Sequence, residues 1–410
     1  MKKLIALVLA LVMVFALVAC GSGGKNAAQG VTKDTITIAN SAATSGALAG
    51  VGLPFLAGIN GYLDMVNSEG GIDGRKIQFL HTDDEFDPVK GLAALEKFVE
   101  DDKVFAIVGH FGTPVVGATL ENLKEYGIPS VYFATGIGQL FSAKATTNAE
   151  GYNIFPIQPL YITEGQLMVA RGVGTFGATK IGMIYTNDDA GKNMLQGAET
   201  KAGELGIPLV KEQVAVGAAD VSAAVTSVLS QGVDFVIVGA IQATMPTIVK
   251  ELAAQGNKAP GITTYVNAAI TISQQIAGEI EGKFDMYVSS WKIRDEEHKD
   301  DVELFNKWVN KDHVDNADAE SGWIAAHVFC EGLRRLAANK QDVTWENYMK
   351  ALESAPIEIP FGGTISFADG ARTGVSSMQL SKCNINDPSG TGWELVYPFA
   401  TMDEIIKGVK

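Results

Sequence analysis

Short apolar, β-branched segments alternate with helix-length amphipathic segments along most of the chain, and this alternation limits the possible folds more than any other feature. In the first part it predicts strands at 35–39, 77–80, 105–108 and 130–133, with helices between them at 54–67, 88–100 and 114–126. Asp87 and Thr113 each precede a proline, which is the pattern of an N-cap followed by a first-turn proline. The alternation predicts an α/β fold with a parallel, doubly wound sheet.

The same alternation begins again after an irregular stretch at 141–153. It predicts helices at 163–171, 192–205, 221–230 and 245–255, and strands at 181–185, 210–214, 235–238 and 262–265. A chain of 410 residues is long enough for two hydrophobic cores. Two series of this kind therefore predict two similar doubly wound lobes.

The last part of the chain has a different order of elements. Helices predicted at 300–311, 321–339 and 345–353 come before β-rich segments at 363–367, 377–383 and 393–398, and we expect them to complete the first lobe. We predict lobe 1 at 35–153 plus 292–377 and lobe 2 at 154–291 plus 378–410, with crossings near 154–159, 285–291 and 378–384. Three crossings form a hinge, which allows two lobes to close on a ligand.

The N-terminus has the pattern of a bacterial lipoprotein export signal. Two lysines precede an apolar run at 4–19, which as a helix of about 24 Å is shorter than a roughly 30 Å hydrocarbon core. The letters LVACG at 17–21 resemble a lipobox, whose cysteine accepts a diacylglyceryl group. We predict a signal peptide at 1–19, then a lipidated Cys20 and flexible tether at 20–34, anchored to the outside of the cell membrane. The alternatives are an uncleaved anchor and an ordinary signal peptide with a chance cysteine.

Cys330 and Cys383 are the other two cysteines. An oxidising compartment outside the cytoplasm permits a disulfide between them, but sequence spacing does not show whether the two residues meet. Cys330 lies in an apolar helical segment, where a buried thiol without a partner is the alternative. Both possibilities stay open at this point.

The charge of the chain disfavours one class of partner. The formal net charge is −15, and so acidic a surface repels a phosphate backbone, so no nucleic acid partner is expected. A small anionic ligand is not excluded, because a few local donors can bind it inside an acidic protein.

Motifs for catalysis, cofactors and metals give no positive signal. The G-x-G-x-x-G string at 172–177 follows a predicted helix and precedes a strand, which is the reverse of the order in a dinucleotide site. The acidic segment at 81–87 lacks the pattern of a calcium loop, and a strand end followed by a capped helix explains it. We expect no catalytic residue, no cofactor and no metal site, and therefore not an enzyme.

Three loops of the predicted first lobe follow strand ends, where ligands bind in doubly wound sheets. They are 41–52, which contains Ser45, then 109–113 and 134–136. Each loop offers small residues, hydroxyls and backbone N–H groups. Such donors at helix N-termini are suited to a carboxylate.

These same segments resemble the leucine/isoleucine/valine-binding protein family, the type I periplasmic binding proteins of branched-chain amino acid ABC transporters. The resemblance rests on S-G-x-x-A-x-x-G at 45–52, N-x-x-G-G-I-x-G at 67–74, D-D-x-x-D-P at 83–88 and a glycine-rich run from Gly362 to Gly370. It covers about residues 35–398. It implies two lobes that capture a small carboxylate and deliver it to an ABC transporter permease, with the lipid anchor as the only membrane contact.

The resemblance also implies a set of binding residues in the first lobe. Thr113 and Thr135 would bind a ligand carboxylate through hydroxyls and N–H groups, and Ala134 would supply a backbone group. Phe111 and Gly112 would shape the floor of the site. The alternative is that the two threonines only cap helices.

In the second lobe the chain departs from the family pattern at three implied binding positions. Ala190 replaces an aromatic residue, Ile241 replaces a tyrosine, and Tyr265 stands where amino-acid binders have an acid for the α-ammonium group. A buried ammonium without a counter-charge is costly, so a carboxylate ligand without an α-ammonium, aromatic or branched, is expected. A shift in alignment would instead let Asp188 or Asp189 supply the acid.

Residues of the first crossing are also candidates for the binding site. Tyr161, Phe155 and Gln158 are expected either to line the pocket or to pack in the crossover. A sensory receptor with the same fold is the alternative function, and a secreted enzyme is a third.

Overall fold

The computed structural model describes residues 28–241, 244–294, 298–388 and 391–407. The predicted signal peptide, Cys20 and most of the predicted tether lie outside these ranges. Within them, no helix combines the length and the apolar composition needed to cross a lipid bilayer.

The first sheet has five parallel strands in the order β2-β1-β3-β4-β5. Its strands are β1 (Thr35–Ala42), β2 (Lys76–Asp83), β3 (Ala106–Phe111), β4 (Ser130–Ala134) and β5 (Ile154–Phe155). The predicted parallel sheet is confirmed by the pairing of each neighbour. Because β5 pairs with β4, the chain leaves this sheet after Phe155, which is later than the expected boundary at 153.

The second sheet has seven strands in the order β14-β13-β10-β9-β8-β6-β7. They are β6 (Ile181–Thr186), β7 (Leu209–Val214), β8 (Phe235–Gly239), β9 (Gly261–Thr263), β10 (Met286–Ser290), β13 (Met378–Cys383) and β14 (Trp393–Ala400). The strands from β6 to β10 are parallel, whereas β13 and β14 are antiparallel additions at one edge. The short strands β11 (Ile357–Glu358) and β12 (Thr364–Ile365) form a separate antiparallel pair.

Helices connect the strands of both sheets. Those between strands of the first sheet are α1 (Ala49–Ser68), α2 (Pro88–Glu96) and α3 (Thr113–Tyr126), and those of the second series are α4 (Tyr161–Phe176), α5 (Asp189–Leu205), α6 (Ser222–Ser230), α7 (Thr244–Ala254) and α8 (Ile270–Ile280). The later helices are α9 (Lys299–Trp308), α10 (Ala317–Ala338), α11 (Trp345–Glu353) and α12 (Met402–Ile406). Asp87 caps α2 as predicted, because its carboxylate accepts the N–H groups of Val89 and Lys90.

Helix α10 packs against α1 and covers the first sheet. It carries Cys330, which is fully buried, while Cys383 lies at the end of β13, and both are free thiols. Burial raises the pKa of the Cys330 thiol to about 12, so the thiol keeps its proton at neutral pH. The sequence left open either a disulfide between Cys330 and Cys383 or a buried thiol without a partner, and in the structure the two cysteines are not bridged.

The contact between α1 and α10 depends on glycine. A Cβ on Gly322 would overlap the backbone carbonyl of Phe55, and a Cβ on Gly58 would overlap the carbonyl of Ala319. The two backbones therefore approach more closely than any side chain would allow. Gly117, in the middle of α3, has open space around its Cβ position and provides a contrast.

We expect Gly322→Ala to destabilise the protein by about 1–3 kcal/mol, because the two helices must separate to admit the methyl group. In the matched control, Gly117→Ala should raise stability by about 0.5–1 kcal/mol through the higher helix propensity of alanine. Urea unfolding of both variants measures the difference. Equal effects of the two substitutions would contradict the close-packing explanation.

Candidate functional site

The loop after β3 has a backbone conformation that requires glycine. Gly112 has a φ of 90°, and a Cβ there would collide with the ring of Phe86. Its N–H donates to the carbonyl of Ala134 at 3.3 Å, which ties the loop after β3 to the end of β4. The prediction that Thr113 caps α3 is wrong, because Gly112 occupies the N-cap and the helix begins at Thr113 without a side-chain capping bond.

Three hydroxyl groups meet at this edge of the first sheet, and we call Thr113, Thr135 and Tyr161 the hydroxyl cluster. The hydroxyls of Thr113 and Thr135 lie 2.8 Å apart, and both interact with the phenol of Tyr161. Tyr161 is the first residue of α4, and its N–H donates to the Gly136 carbonyl at 2.6 Å. Burial raises the pKa of Tyr161 to about 12, so its phenol remains a neutral donor.

Tyr265 lies next to the hydroxyl cluster, and hydrogen bonds to its hydroxyl fix the position of its side chain. Its ring stacks on that of Tyr161, with centroids 6.3 Å apart and planes 26° apart. The Tyr265 hydroxyl accepts from Nε2 of Gln158 at 2.8 Å and donates to the carbonyl of Pro159 at 3.1 Å. The structure therefore brings the three predicted residues Tyr161, Gln158 and Tyr265 together, although the strand predicted at 262–265 ends at Thr263 and Tyr265 begins a short 3₁₀ turn.

Glu164 is a buried acid of this region that the sequence analysis missed. It is fully buried in the first turn of α4. One carboxylate oxygen accepts the Thr264 hydroxyl at 2.6 Å, and the other accepts the N–H of Tyr265 at 2.7 Å. Desolvation raises the pKa of Glu164 to about 7, although both hydrogen bonds favour the charged form. No local pattern reveals this role, because the partners are about a hundred residues away in the chain.

Tyr132, in the middle of β4, is a second residue that the sequence analysis missed. It has a φ of 65°, which is unusual for an aromatic residue, and its side chain is fully buried. Its hydroxyl donates to Oε1 of Gln158 at 3.0 Å. The Gln158 amide therefore joins Tyr132 of the first sheet to Tyr265 of the second series.

A further bond links the two series of elements beside the hydroxyl cluster. The N–H of Gly138, in the loop after β4, donates to Oδ1 of Asn193 on α5 at 2.7 Å. This bond and the one between Gly136 and Tyr161 bring the loop after β4 against helices α4 and α5. The hydroxyl cluster thus lies between the two sheets.

Two predicted aromatic residues pack in the core and contribute only indirectly to the site. Phe111 is 5% exposed and contacts Phe55, with ring centroids 5.7 Å apart. Phe155 is fully buried, and the guanidinium of Arg372 lies 4.2 Å from its ring centroid. Phe155 therefore packs in the crossover between the two sheets, which was the alternative to lining the pocket.

Ser45 is exposed, and its contacts are with Asp83 at the end of β2. Desolvation opposes ionisation of Asp83, but hydrogen bonds from Ser45, Glu85 and Thr44 outweigh it and lower the pKa to about 2. Ser45 therefore stabilises the conformation of its own loop through Asp83. The structure gives no contact between Ser45 and the hydroxyl cluster.

The remaining second-lobe candidates lie at the ends of β6 and β8. Ala190 is buried in the first turn of α5, and Ile241 is partly buried against the same apolar core. Asp188 is the N-cap of α5, and its carboxylate accepts the Gly191 N–H at 3.0 Å and the Thr186 hydroxyl at 2.7 Å. Asp188 therefore has a structural role as the N-cap of α5, and the alternative that Asp188 or Asp189 supplies an acid to the ligand stays a prediction.

The carboxylates of Asp83 and Asp87, in the acidic segment at 81–87, accept hydrogen bonds from backbone N–H groups of nearby residues. Asp83 accepts the N–H groups of Thr44 and Glu85, each at 3.0 Å, and Asp87 caps α2. Across residues 28–241, 244–294, 298–388 and 391–407, no group of three or more His, Cys, Asp or Glu side chains is placed to hold a metal ion.

Comparison with known proteins gives a consistent result. The family model described as periplasmic binding protein matches residues 35–390. The chain is 24% identical over 221 residues to an amino acid binding protein of Pseudomonas aeruginosa, covering 52% of this chain and 55% of that one. It is 26% identical over 234 residues to Leu/Ile/Val-binding protein homolog 2 of Brucella abortus (strain 2308), covering 56% and 60%. The matched part thus spans less than two thirds of these relatives.

Solved structures share the fold over nearly the whole chain. A fatty acid ABC transporter substrate-binding protein from Thermomonospora curvata has a TM-score of 0.75 at 19% identity, covering 93% of this chain and 96% of that one. A branched chain amino acid ABC transporter protein from Thermus thermophilus with bound valine has a TM-score of 0.75 at 17% identity, covering 92% and 99%. At these identities the similarity establishes the fold alone.

We expect Glu164 to make stability depend on pH. Its pKa is raised from 4.5 to about 7 on folding, so its contribution is most favourable below pH 4.5 and is lost as the pH rises through 7. The unfolding free energy of the wild type relative to Glu164→Gln should therefore fall by about 3 kcal/mol between pH 4.5 and pH 8. Urea unfolding of both proteins at several pH values measures this difference. A difference that does not change with pH would show that Glu164 titrates normally.

Proposed function

Because the chain belongs to the periplasmic binding protein family, we propose that it is an extracytoplasmic solute-binding protein of an ABC importer that captures a small carboxylate between two lobes. The ligand is bound and released unchanged, and the closed form is recognised by the transporter permease. The hydroxyl cluster is the observation that carries this proposal.

The hydroxyl cluster is suited to an anion for a simple electrostatic reason. Thr113, Thr135 and Tyr161 offer three O–H donors from separate segments of the chain, and these hydroxyls interact with one another. A carboxylate accepts several such bonds at once, and hydrogen bonds to a charged group are stronger than those between neutral groups, at about 1.5–3 kcal/mol each. Local donors of this kind overcome the acidic net charge of the chain.

The surroundings of the hydroxyl cluster favour a carboxylate without an α-ammonium group. The acid nearest to Tyr265 is Glu164, which accepts hydrogen bonds from Thr264 and Tyr265 and whose pKa of about 7 leaves it partly protonated, and so partly uncharged, at neutral pH. A buried ammonium would therefore meet phenols and an amide rather than a free counter-charge, which is costly. The ring of Tyr265 is only partly buried and offers an apolar surface to an aromatic or branched ligand.

An amino acid is the second candidate ligand. Relatives named as amino acid binding and Leu/Ile/Val-binding proteins support it. Amino acids would need a counter-charge for their α-ammonium group. A ligand screen that includes both classes separates the two candidates.

We expect aromatic and branched carboxylic acids without an α-amino group to raise the melting temperature by several degrees in a thermal-shift screen. Ligand at about 100 times its Kd stabilises the folded state by about 2.7 kcal/mol. Stabilisation by amino acids alone would contradict the proposed ligand class. A compound that is chemically converted during incubation would contradict a function limited to binding.

Replacing one hydroxyl of the cluster tests the site itself. Thr135→Val keeps the shape of the side chain and removes a donor, so affinity for the ligand found in the screen should fall about 10- to 100-fold. Thr200→Val is the matched control, because the exposed Thr200 hydroxyl donates to the Gln196 carbonyl of its own helix. Titration calorimetry measures both variants, and equal affinities for Thr135→Val and the wild type would exclude the hydroxyl cluster as the anion site.

We also propose that the mature protein begins at Cys20 and is held to the membrane by acyl chains on that residue. The lipobox-like letters at 17–21 and the apolar run before them support this. In a bacterial host, Cys20→Ser should abolish labelling by radioactive palmitate and release the protein from the membrane fraction. Unchanged labelling in this variant would contradict lipidation at Cys20.

A further inference from the structure

The first sheet has an interruption in its backbone pairing directly below the binding loops. The ladder between β3 and β4 pairs Val108 with Val131 and then His110 with Phe133. The two residues between these pairs, Gly109 and Tyr132, both have positive φ values, 77° and 65°. This paired distortion changes the direction of the backbone just before the loop that carries Thr113.

A buried amide satisfies the Gly109 carbonyl at this interruption. Asn40, on the neighbouring strand β1, is fully buried, and its Nδ2 donates to the carbonyl oxygen of Gly109 at 3.0 Å. A buried carbonyl without a partner would cost about 1–3 kcal/mol, so this bond favours the distorted conformation of Gly109 over a regular ladder. Asn40 itself touches neither the hydroxyl cluster nor the phenol of Tyr265 in any contact of the described chain.

His81 fixes the orientation of the Asn40 amide. Because Nδ2 of Asn40 donates to Gly109, its Oδ1 must accept, and Nδ1–H of His81 donates to it at 2.9 Å. Nε2 of His81 then accepts the hydroxyl of Thr44, 3.1 Å away, in the loop after β1. The chain of bonds from Thr44 through His81 and Asn40 to Gly109 connects the loop after β1 to the strand that leads into the loop before Thr113.

We propose that Asn40 is a positioning residue for ligand binding, and that His81 keeps the Asn40 amide in the orientation that holds the loop at 109–113. The proposal rests on the proposed function, since it concerns the loop that brings Thr113 to the ligand. Asn40 contributes through geometry alone. Its loss would remove no group that contacts the ligand, but it would misplace Thr113.

The test uses two chemically identical substitutions at buried asparagines. Asn40→Asp keeps the oxygen that accepts from His81 but directs a second oxygen at the Gly109 carbonyl, so ligand affinity should fall at least tenfold. Asn153→Asp removes the same kind of donor, which in the wild type bonds the carbonyls of Leu123 and Ile128 at 2.8 Å each, near the opposite end of β4. Affinity in this control should stay within twofold of the wild type, although its stability should also fall. Equal affinities of the two variants would overturn the proposal.

A milder pair of variants covers the case in which Asn40→Asp does not fold. His81→Ala removes the donor to Asn40 and should lower affinity at least threefold. His81→Asn restores a side-chain N–H close to the position of Nδ1 and should return the affinity to within twofold of the wild type. Failure of the asparagine to restore affinity would contradict the role assigned to His81.

Hydrogen exchange separates this proposal from the proposed function, because it needs no ligand. In the free protein, exchange at residues 109–113 should be at least tenfold faster in Asn40→Asp than in Asn153→Asp. Normal exchange in that loop would overturn the positioning role even if ligands bind. If the loop loosens as expected but the wild type binds no carboxylate, the proposed function fails while the structural role of Asn40 stands.

Discussion

The side-chain amide of Gln158 is the contact on which the arrangement of the site depends. It accepts the hydroxyl of Tyr132 at 3.0 Å and donates to the hydroxyl of Tyr265 at 2.8 Å, so one residue of the crossover joins phenols from the two halves of the fold. All three groups are largely removed from water, and a buried polar group without a partner is costly. These two hydrogen bonds therefore stabilise the relative position of the two sheets that the structure shows.

Backbone strain in the first sheet accompanies this contact. Tyr132 has a positive φ, which costs about 1–3 kcal/mol for a residue of this type, and its hydroxyl bond to Gln158 helps to offset the cost. Gly109 and Gly112 absorb the corresponding changes of direction in β3 without a Cβ penalty. Strain in the first sheet is thus concentrated in the strands that end at the hydroxyl cluster, the proposed ligand site.

Sequence periodicity predicts most strands and helices of the two series, because each of them has its own local pattern, but it misses helix α8 and the strands β5 and β10. The convergence of Thr113 and Thr135 also followed from the rule that parallel strands end at a common edge of the sheet. The capping role predicted for Thr113 failed because the conformation of Gly112 moves the N-cap by one residue. Glu164, Tyr132 and Asn40 had no recognisable signal, since their roles depend on partners far away in the chain and on side-chain directions that periodicity does not contain.

Under the proposed function, specificity would come from the neutral donors of the hydroxyl cluster rather than from a fixed cation. The central claim is that the ligand carboxylate replaces the bonds that the hydroxyls of Thr113, Thr135 and Tyr161 make with one another. A crystal structure of the complex with the tightest ligand tests it most directly. The account predicts carboxylate oxygens within hydrogen-bonding distance of all three hydroxyl oxygens. A ligand found outside the cleft, or in the cleft with its carboxylate directed away from these residues, would contradict it.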